Sequence, residues 1–96
     1  MSTQRISIRE LQEDVESLLE EKDFPRLAET IAPLSAEQVS SLLGRLPAKE
    51  QAIVYRLLHK ERAIRVFELI SPAMQGDLIH GLQDADVAAI FADLDP

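Results

Sequence analysis

The stretch LPAKEQAIVYRLLHKERAIRVFELI, residues 46–70, decides the fold because its apolar residues return at a fixed interval. The residues that mark this twelve-residue interval, extended in both directions, are Leu34, Leu46, Leu58, Ile70, Leu82 and Leu94. The apolar pairs that follow the first five of them by eight and nine residues are Leu42 and Leu43, Val54 and Tyr55, Val66 and Phe67, Leu78 and Ile79, and Ile90 and Phe91. A fixed interval of this kind indicates one structural unit repeated along the chain.

The spacing inside each unit is typical of an α-helix. The offsets of five, eight, nine and twelve residues after a boundary form the i, i+3, i+4, i+7 pattern of one helix face. A twelve-residue unit leaves about nine residues for a helix, a length that is marginal in water without neighbours. We therefore predict an all-α solenoid of short helices packed side by side and roughly antiparallel.

Capping signals mark where the helices begin. Ser7 with Glu10, and Ser35 with Gln38, match the capping box. The other predicted starts lie at Asp23-Phe24-Pro25, Pro47 and Ser71-Pro72. We predict a single domain over residues 1–96, with a disordered tail at 1–6, a longer acidic helix at 7–22 and short helices over 23–96, about seven helices in all.

Small residues recur six places after most of the boundaries. They are Ser40, Ala52, Gly76 and Ala88. We expect close contact between helices at these positions, because a small side chain lets two backbones approach. Ile64 breaks the pattern in its own unit.

Composition narrows the classes of function. The chain has no cysteine, which excludes disulfides, thiolate metal sites and cysteine nucleophiles. Its formal net charge is -7. The negative charge argues against binding to nucleic acid or to an anionic lipid surface, because both need Lys and Arg to neutralise phosphates. No apolar run approaches the roughly 20 residues of a membrane-spanning helix, so we expect no direct membrane insertion of this chain.

Acidic residues concentrate towards both ends of the chain. Residues 9–23 contain seven acids against Arg9 and Lys22, which predicts a charged helix face that either docks a partner or is only solvated. After Arg65 no Lys or Arg follows. The acids of that last stretch are Glu68, Asp77, Asp84, Asp86, Asp93 and Asp95. The sequence therefore predicts carboxylates without an internal cation in the C-terminal third, suited to cations or to a basic partner.

Four of these carboxylates are candidate ligands. Asp93 and Asp95, with Asp84 and Asp86 one unit earlier, offer the oxygen atoms that a hard divalent cation prefers. The alternative is that Asp84 and Asp86 stabilise a helix N-terminus and that Asp93 and Asp95 are solvated. Both interpretations stay open from the sequence.

Catalytic motifs are absent from the sequence. It contains no GxSxG, no Gly-rich phosphate loop and no HExxH, and neither His59 nor His80 has a second His or Cys at ligand spacing. A short solenoid also offers no obvious enclosed pocket. We predict that the chain is not an enzyme.

The residues also resemble a known family. The run from Leu34 to Leu82 is similar to the N-terminal cytosolic domain of the MgtE magnesium transporters and channels, and the resemblance extends over about residues 23–96. The matching elements are Leu42-Leu43, Leu46-Pro47, Glu61-Arg62-Ala63 leading to Val66-Phe67, and Ser71-Pro72. Flagellar motor-switch scaffold proteins are similar in helical architecture.

The MgtE resemblance implies a fold and a function. It implies a right-handed superhelix on the cytoplasmic face of the membrane, as a fragment of a homodimeric protein that continues into a pair of CBS domains and a pore. It also implies that magnesium between acidic faces of this domain and the CBS pair closes the pore, with Asp93 and Asp95 as its ligands here. The alternative is a helical-repeat interaction scaffold with no ion role, like the motor-switch proteins.

Overall fold

The computed structural model describes the backbone of residues 7–94 and the side chains of residues 7–92. Seven α-helices and no strand occur in this range. The helices are α1 (Ile8–Glu21), α2 (Phe24–Ile31), α3 (Ala36–Leu43), α4 (Ala48–Arg56), α5 (Lys60–Leu69), α6 (Pro72–Leu82) and α7 (Ala85–Leu94). The predicted all-α class and helix number are confirmed, whereas the predicted tail at 1–6 lies outside the described residues.

The helix starts follow the twelve-residue interval of the sequence. The first residues of α3, α4, α5 and α6 are twelve apart, and α7 begins thirteen residues after α6. Both capping boxes form, with the Ser7 and Ser35 hydroxyls each accepting a hydrogen bond from the backbone N–H three residues on. Pro72 opens α6 behind its Ser71 cap, whereas Pro47 occupies the cap position of α4 itself. The capping signals therefore predict the first residues of α1, α2, α3, α4 and α6 to within one residue.

The closest packing in the middle of the chain skips one helix. α3 packs mainly against α5 and α4 mainly against α6, while α1 contacts both α2 and α3, and α7 contacts α4 and α6. Side-by-side packing of consecutive helices, as predicted, therefore describes α1–α2 and α6–α7 but is wrong for α3 to α6. A turn of about three residues redirects the chain, so each apolar stripe meets the helix after next. The right-handed sense of the superhelix remains a prediction.

Among the residues whose side chains the structure describes, the repeat positions lie in the core or pack against it, with one exception. Leu46, Val54, Val66 and Leu78 are all buried. Ile79, predicted to be buried beside Leu78, is 45% exposed. A helix turns by about 100° per residue, so the rotation that directs Leu78 at the core turns its successor away from it.

A glycine sets this rotation of α6. A Cβ atom on Gly81 would lie 2.7 Å from the carbonyl oxygen of Ala48 and 3.0 Å from the Cβ of Ala52. The two backbones therefore meet at this position, and Ala52 is one of the small residues expected at a close contact. The expectation is wrong for Gly76, because a Cβ atom there would meet nothing within 4 Å.

Two glutamines in the repeat stripe cap the ends of preceding helices. Gln51, which is 7% exposed, donates from Nε2 to the carbonyl oxygens of Leu43 and Leu46, both at 2.9 Å. Gln75, two units later, donates from Nε2 to the carbonyl oxygen of Phe67 at 2.8 Å. The last carbonyls of a helix lack intrahelical partners, so these amides satisfy groups that would otherwise be buried unpaired.

The close contact at Gly81 makes a matched pair of substitutions informative. Gly81→Ala should lower the free energy of unfolding by about 1–3 kcal/mol, because the new methyl group overlaps the backbone of Ala48. Gly76→Ala, in the exposed middle of the same helix, should raise it by about 0.5–1 kcal/mol through helix propensity. Urea unfolding measures both, and a stabilising Gly81→Ala would contradict the α4–α6 contact.

Candidate functional site

Two of the four candidate carboxylates stand at the start of α7. The Asp84 Oδ1 atom accepts hydrogen bonds from the backbone N–H of Asp86 at 2.8 Å and of Val87 at 3.4 Å. This arrangement caps the first turn of α7. The capping interpretation of Asp84 is therefore confirmed.

The same two carboxylates hold a lysine from α4. The Lys49 Nζ atom lies 3.1 Å from Oδ2 of Asp86 and 3.7 Å from Oδ2 of Asp84. The hydrogen bond to Asp86, followed by the negative charges of Asp84 and Asp86, raises the pKa of Lys49. The prediction that the C-terminal acids lack an internal cation is therefore wrong for this pair. Lys49 is distant from them in sequence, and only the packing of α4 against α7 brings the three groups together.

Asp93 and Asp95 cannot be placed in the same way. The backbone of Asp93 belongs to the last turn of α7, whereas its side chain and all of Asp95 lie outside the described residues. Within the described part of the chain, no three His, Asp or Glu side chains are grouped closely enough to hold a metal ion. The assignment of Asp93 and Asp95 as metal ligands therefore stays a prediction.

Three arginines of α4 and α5 bind within the chain. The Arg56 guanidinium lies over the ring of Phe91, 4.7 Å from its centroid. Arg62 donates from Nη1 to the carbonyl oxygen of Leu34. The Arg65 Nη2 atom lies 3.8 Å from an oxygen of Glu37. Arg56 therefore adds to the contact between α4 and α7. Arg62 contacts the turn that follows α2.

The acidic face of α1 is open to solvent. Glu13, Asp14, Glu20 and Glu21 are exposed, and none of them forms an ion pair within the range covered by the structure. This face is available to a basic partner, and its predicted docking role stays a prediction.

Glu50 differs from the other described carboxylates because one of its oxygen atoms is buried without a partner. Its Oε1 atom is inaccessible to water and has no hydrogen-bond partner. Burial, and secondarily the negative charges of Glu16 and Glu20 on α1, raise the pKa of Glu50 above its ordinary 4.5. No pattern in the sequence indicates this, because the three acids approach one another only through the fold.

An open groove of about 510 Å³ runs between α2 and the turn from α4 to α5. Ile31 lines it on one side and Leu57 and Leu58 on the other. His59, the residue before α5, lies on its rim and makes no side-chain capping bond. His80 lies in the last turn of α6, away from this lining.

Comparison with known families identifies the part of the chain that follows α2. The family model described as the MgtE intracellular N domain matches residues 34–96, which is about two thirds of the chain. The chain belongs to this family. The MgtE N domain is part of a magnesium transporter, in a regulatory and not a catalytic region. The match begins at Leu34, so α1 and α2 precede it, although the resemblance was expected from about residue 23.

Two further comparisons found nothing. No curated protein and no solved structure matches the chain. Within the described residues of this MgtE N domain, every helix is too short or too polar to cross a membrane.

Asp84 should matter more for stability than Asp86. Asp84→Ala removes the α7 cap and should lower the free energy of unfolding by about 0.5–2 kcal/mol. Asp86→Ala loses an exposed ion pair and the negative charge in the first turn of α7, but no cap hydrogen bond, and should have a smaller effect. Urea unfolding of both variants checks this, and Lys49→Met serves as the control. If Lys49→Met destabilised the protein as much as Asp84→Ala, the ion pair and not the cap would be the stabilising element.

Glu50 should make the protein less stable as the pH rises. A carboxyl with a raised folded pKa binds its proton more tightly in the native state, so the stability it contributes is complete below its ordinary pKa and is lost as the pH rises through the folded pKa. Glu50→Gln should therefore be more stable than the parent at neutral pH, with a difference that shrinks on acidification. Denaturant unfolding across pH measures this, with Glu13→Gln as an exposed control. An unchanged pH profile would contradict the burial of the charge.

Proposed function

We propose that this domain regulates a magnesium transporter or channel from the cytoplasmic face of the cell membrane. In this proposal, intracellular magnesium controls gating because a divalent cation draws the domain against a neighbouring CBS domain of the same chain. The observation that carries the proposal is the family match across α3 to α7. The full-length protein would act as a homodimer.

In this proposal, electrostatic repulsion couples magnesium concentration to domain closure. Carboxylates on two facing domains repel each other until a divalent cation bridges them, so a change in ion concentration becomes a change in domain closure. A bridge of this kind needs weak binding in the concentration range of the cell. The cation would therefore bind well only when both surfaces are present.

The residues of this chain that we assign to the bridge are Asp93 and Asp95. Carboxylates are the donors that magnesium prefers. Asp84 and Asp86 fit the role poorly, because Lys49 already lies between them. What the described residues contribute is the position of α7, which Lys49 and Arg56 fix against α4.

The second candidate function is a protein-interaction scaffold without an ion role. Three large apolar side chains on the stack favour it, because Ile64, Leu69 and Ile79 are 52%, 41% and 45% exposed. Exposed apolar side chains of this kind can mark interaction surfaces. A complex that survives removal of all divalent ions by a chelator would support the scaffold over the regulatory domain.

Magnesium titration of the full-length protein tests the regulatory proposal. Isothermal titration calorimetry should show magnesium binding with a dissociation constant on the order of millimolar. The double substitution Asp93→Asn and Asp95→Asn should weaken it by about tenfold, because two charged ligands are lost. Asp77→Asn, an exposed acid on α6, is the matched control and should leave binding unchanged. Absence of binding, or an equal effect of the control, would contradict the proposal.

A further inference from the structure

The groove between α2 and the α4–α5 turn is a gap in the stack. The alternate helices α4 and α6 pack closely, but α2 and α4 are not among the closely packed pairs. The groove of about 510 Å³ described above is lined by α2 and its C-cap residue, the α4–α5 turn and the first residues of α5. Its volume lies within the usual 300–1,000 Å³ of binding clefts.

The residues that line the groove are suited to apolar side chains. Ile31 is almost completely buried at its base, and Leu57 and Leu58 are half-buried on the opposite wall. Ala28 on α2 and Ala32, the C-cap residue of that helix, leave room between the walls. Leu57 and Leu58 would lose their remaining exposure if an apolar group entered, and this burial is favourable by about 25 cal/mol per Å².

The charges around the groove select the partner. Glu29 on α2 and Glu61 on α5 line its two sides, and both are exposed. Neither carboxylate is in an ion pair within the described part of the chain. Arg62, the basic residue of the lining, donates from Nη1 to the carbonyl oxygen of Leu34. The groove therefore presents an apolar base between two available carboxylates.

We propose that this groove docks an amphipathic helix of a partner protein. The helix inserts apolar side chains spaced three or four residues apart over Ile31, Leu57 and Leu58, and places Lys or Arg beside Glu29 and Glu61. Such a helix has the same i, i+3, i+4 stripe that the repeat uses internally, and the charge of its flanks complements the rim. The site shares no residue with the carboxylates assigned to magnesium, so either proposal can fail alone.

Amide chemical shifts on titration with a defined peptide test the proposal. The probe is a four-turn synthetic helix of Leu and Lys alone, with Leu at i, i+3, i+4 spacing. The matched control peptide carries Glu in place of Lys. We expect saturable shifts at residues 28–32 and 57–62 with the Leu–Lys peptide, and at least tenfold weaker binding of the Leu–Glu peptide.

Substitutions in the groove separate docking from general attraction to an acidic protein. Ala32→Trp fills the groove from an exposed position and should weaken binding at least tenfold. Glu29→Gln and Glu61→Gln should each weaken it about two- to fivefold, whereas Glu68→Gln, on α5 outside the lining, should not. If Ala32→Trp failed to fold, the three Glu→Gln variants would decide alone.

Three results would overturn the proposal. Shifts confined to the acidic face of α1 would show attraction by charge only. Equal binding of the two peptides would show that the rim charges select nothing. Groove shifts that appear on raising the concentration of this chain alone would show that a second copy occupies the groove.

Discussion

The structure depends on the mutual burial of α3 with α5 and of α4 with α6. The repeating helices contain 8–11 residues, a length at which an isolated helix is marginal in water. Their apolar stripes are covered chiefly by the α3–α5 and α4–α6 contacts. Since neither helix of a pair is stable alone, secondary structure and tertiary packing must form together. The elongated stack, 45 × 30 × 22 Å in extent, then offers much surface for recognition.

α4 contacts three other helices of this stack, which are α3, α6 and α7. Gln51 caps the end of α3, Ala52 receives Gly81 of α6, and Lys49 and Arg56 hold α7. The helix therefore links α3 and α6 to the C-terminal helix that carries Asp93. Because α7 contacts α6 as well as α4, a cation that displaced α7 in the proposed regulatory domain would act on both helices.

The sequence predicted what depends on spacing and missed what depends on rotation and neighbours. The twelve-residue interval and the caps predicted the class, the helix number and the starts. Periodicity defines a stripe only to within about one residue, so it could not separate Leu78 from the exposed Ile79. Nor does it say which helix covers the stripe, so the pairing of Lys49 with Asp84 was not foreseen. The candidate ligands came from composition and resemblance, and only the packing could show which of them are already occupied.

Native-state hydrogen exchange tests the mutual dependence of the helices most directly. The account predicts that amides in the middle of α4 and of α6 exchange through a single opening, with equal free energies and an equal dependence on low concentrations of denaturant. Equal values would mean that neither helix persists without the other. Exchange of the α6 amides through a separate, lower-energy opening while α4 keeps its full protection would contradict the account.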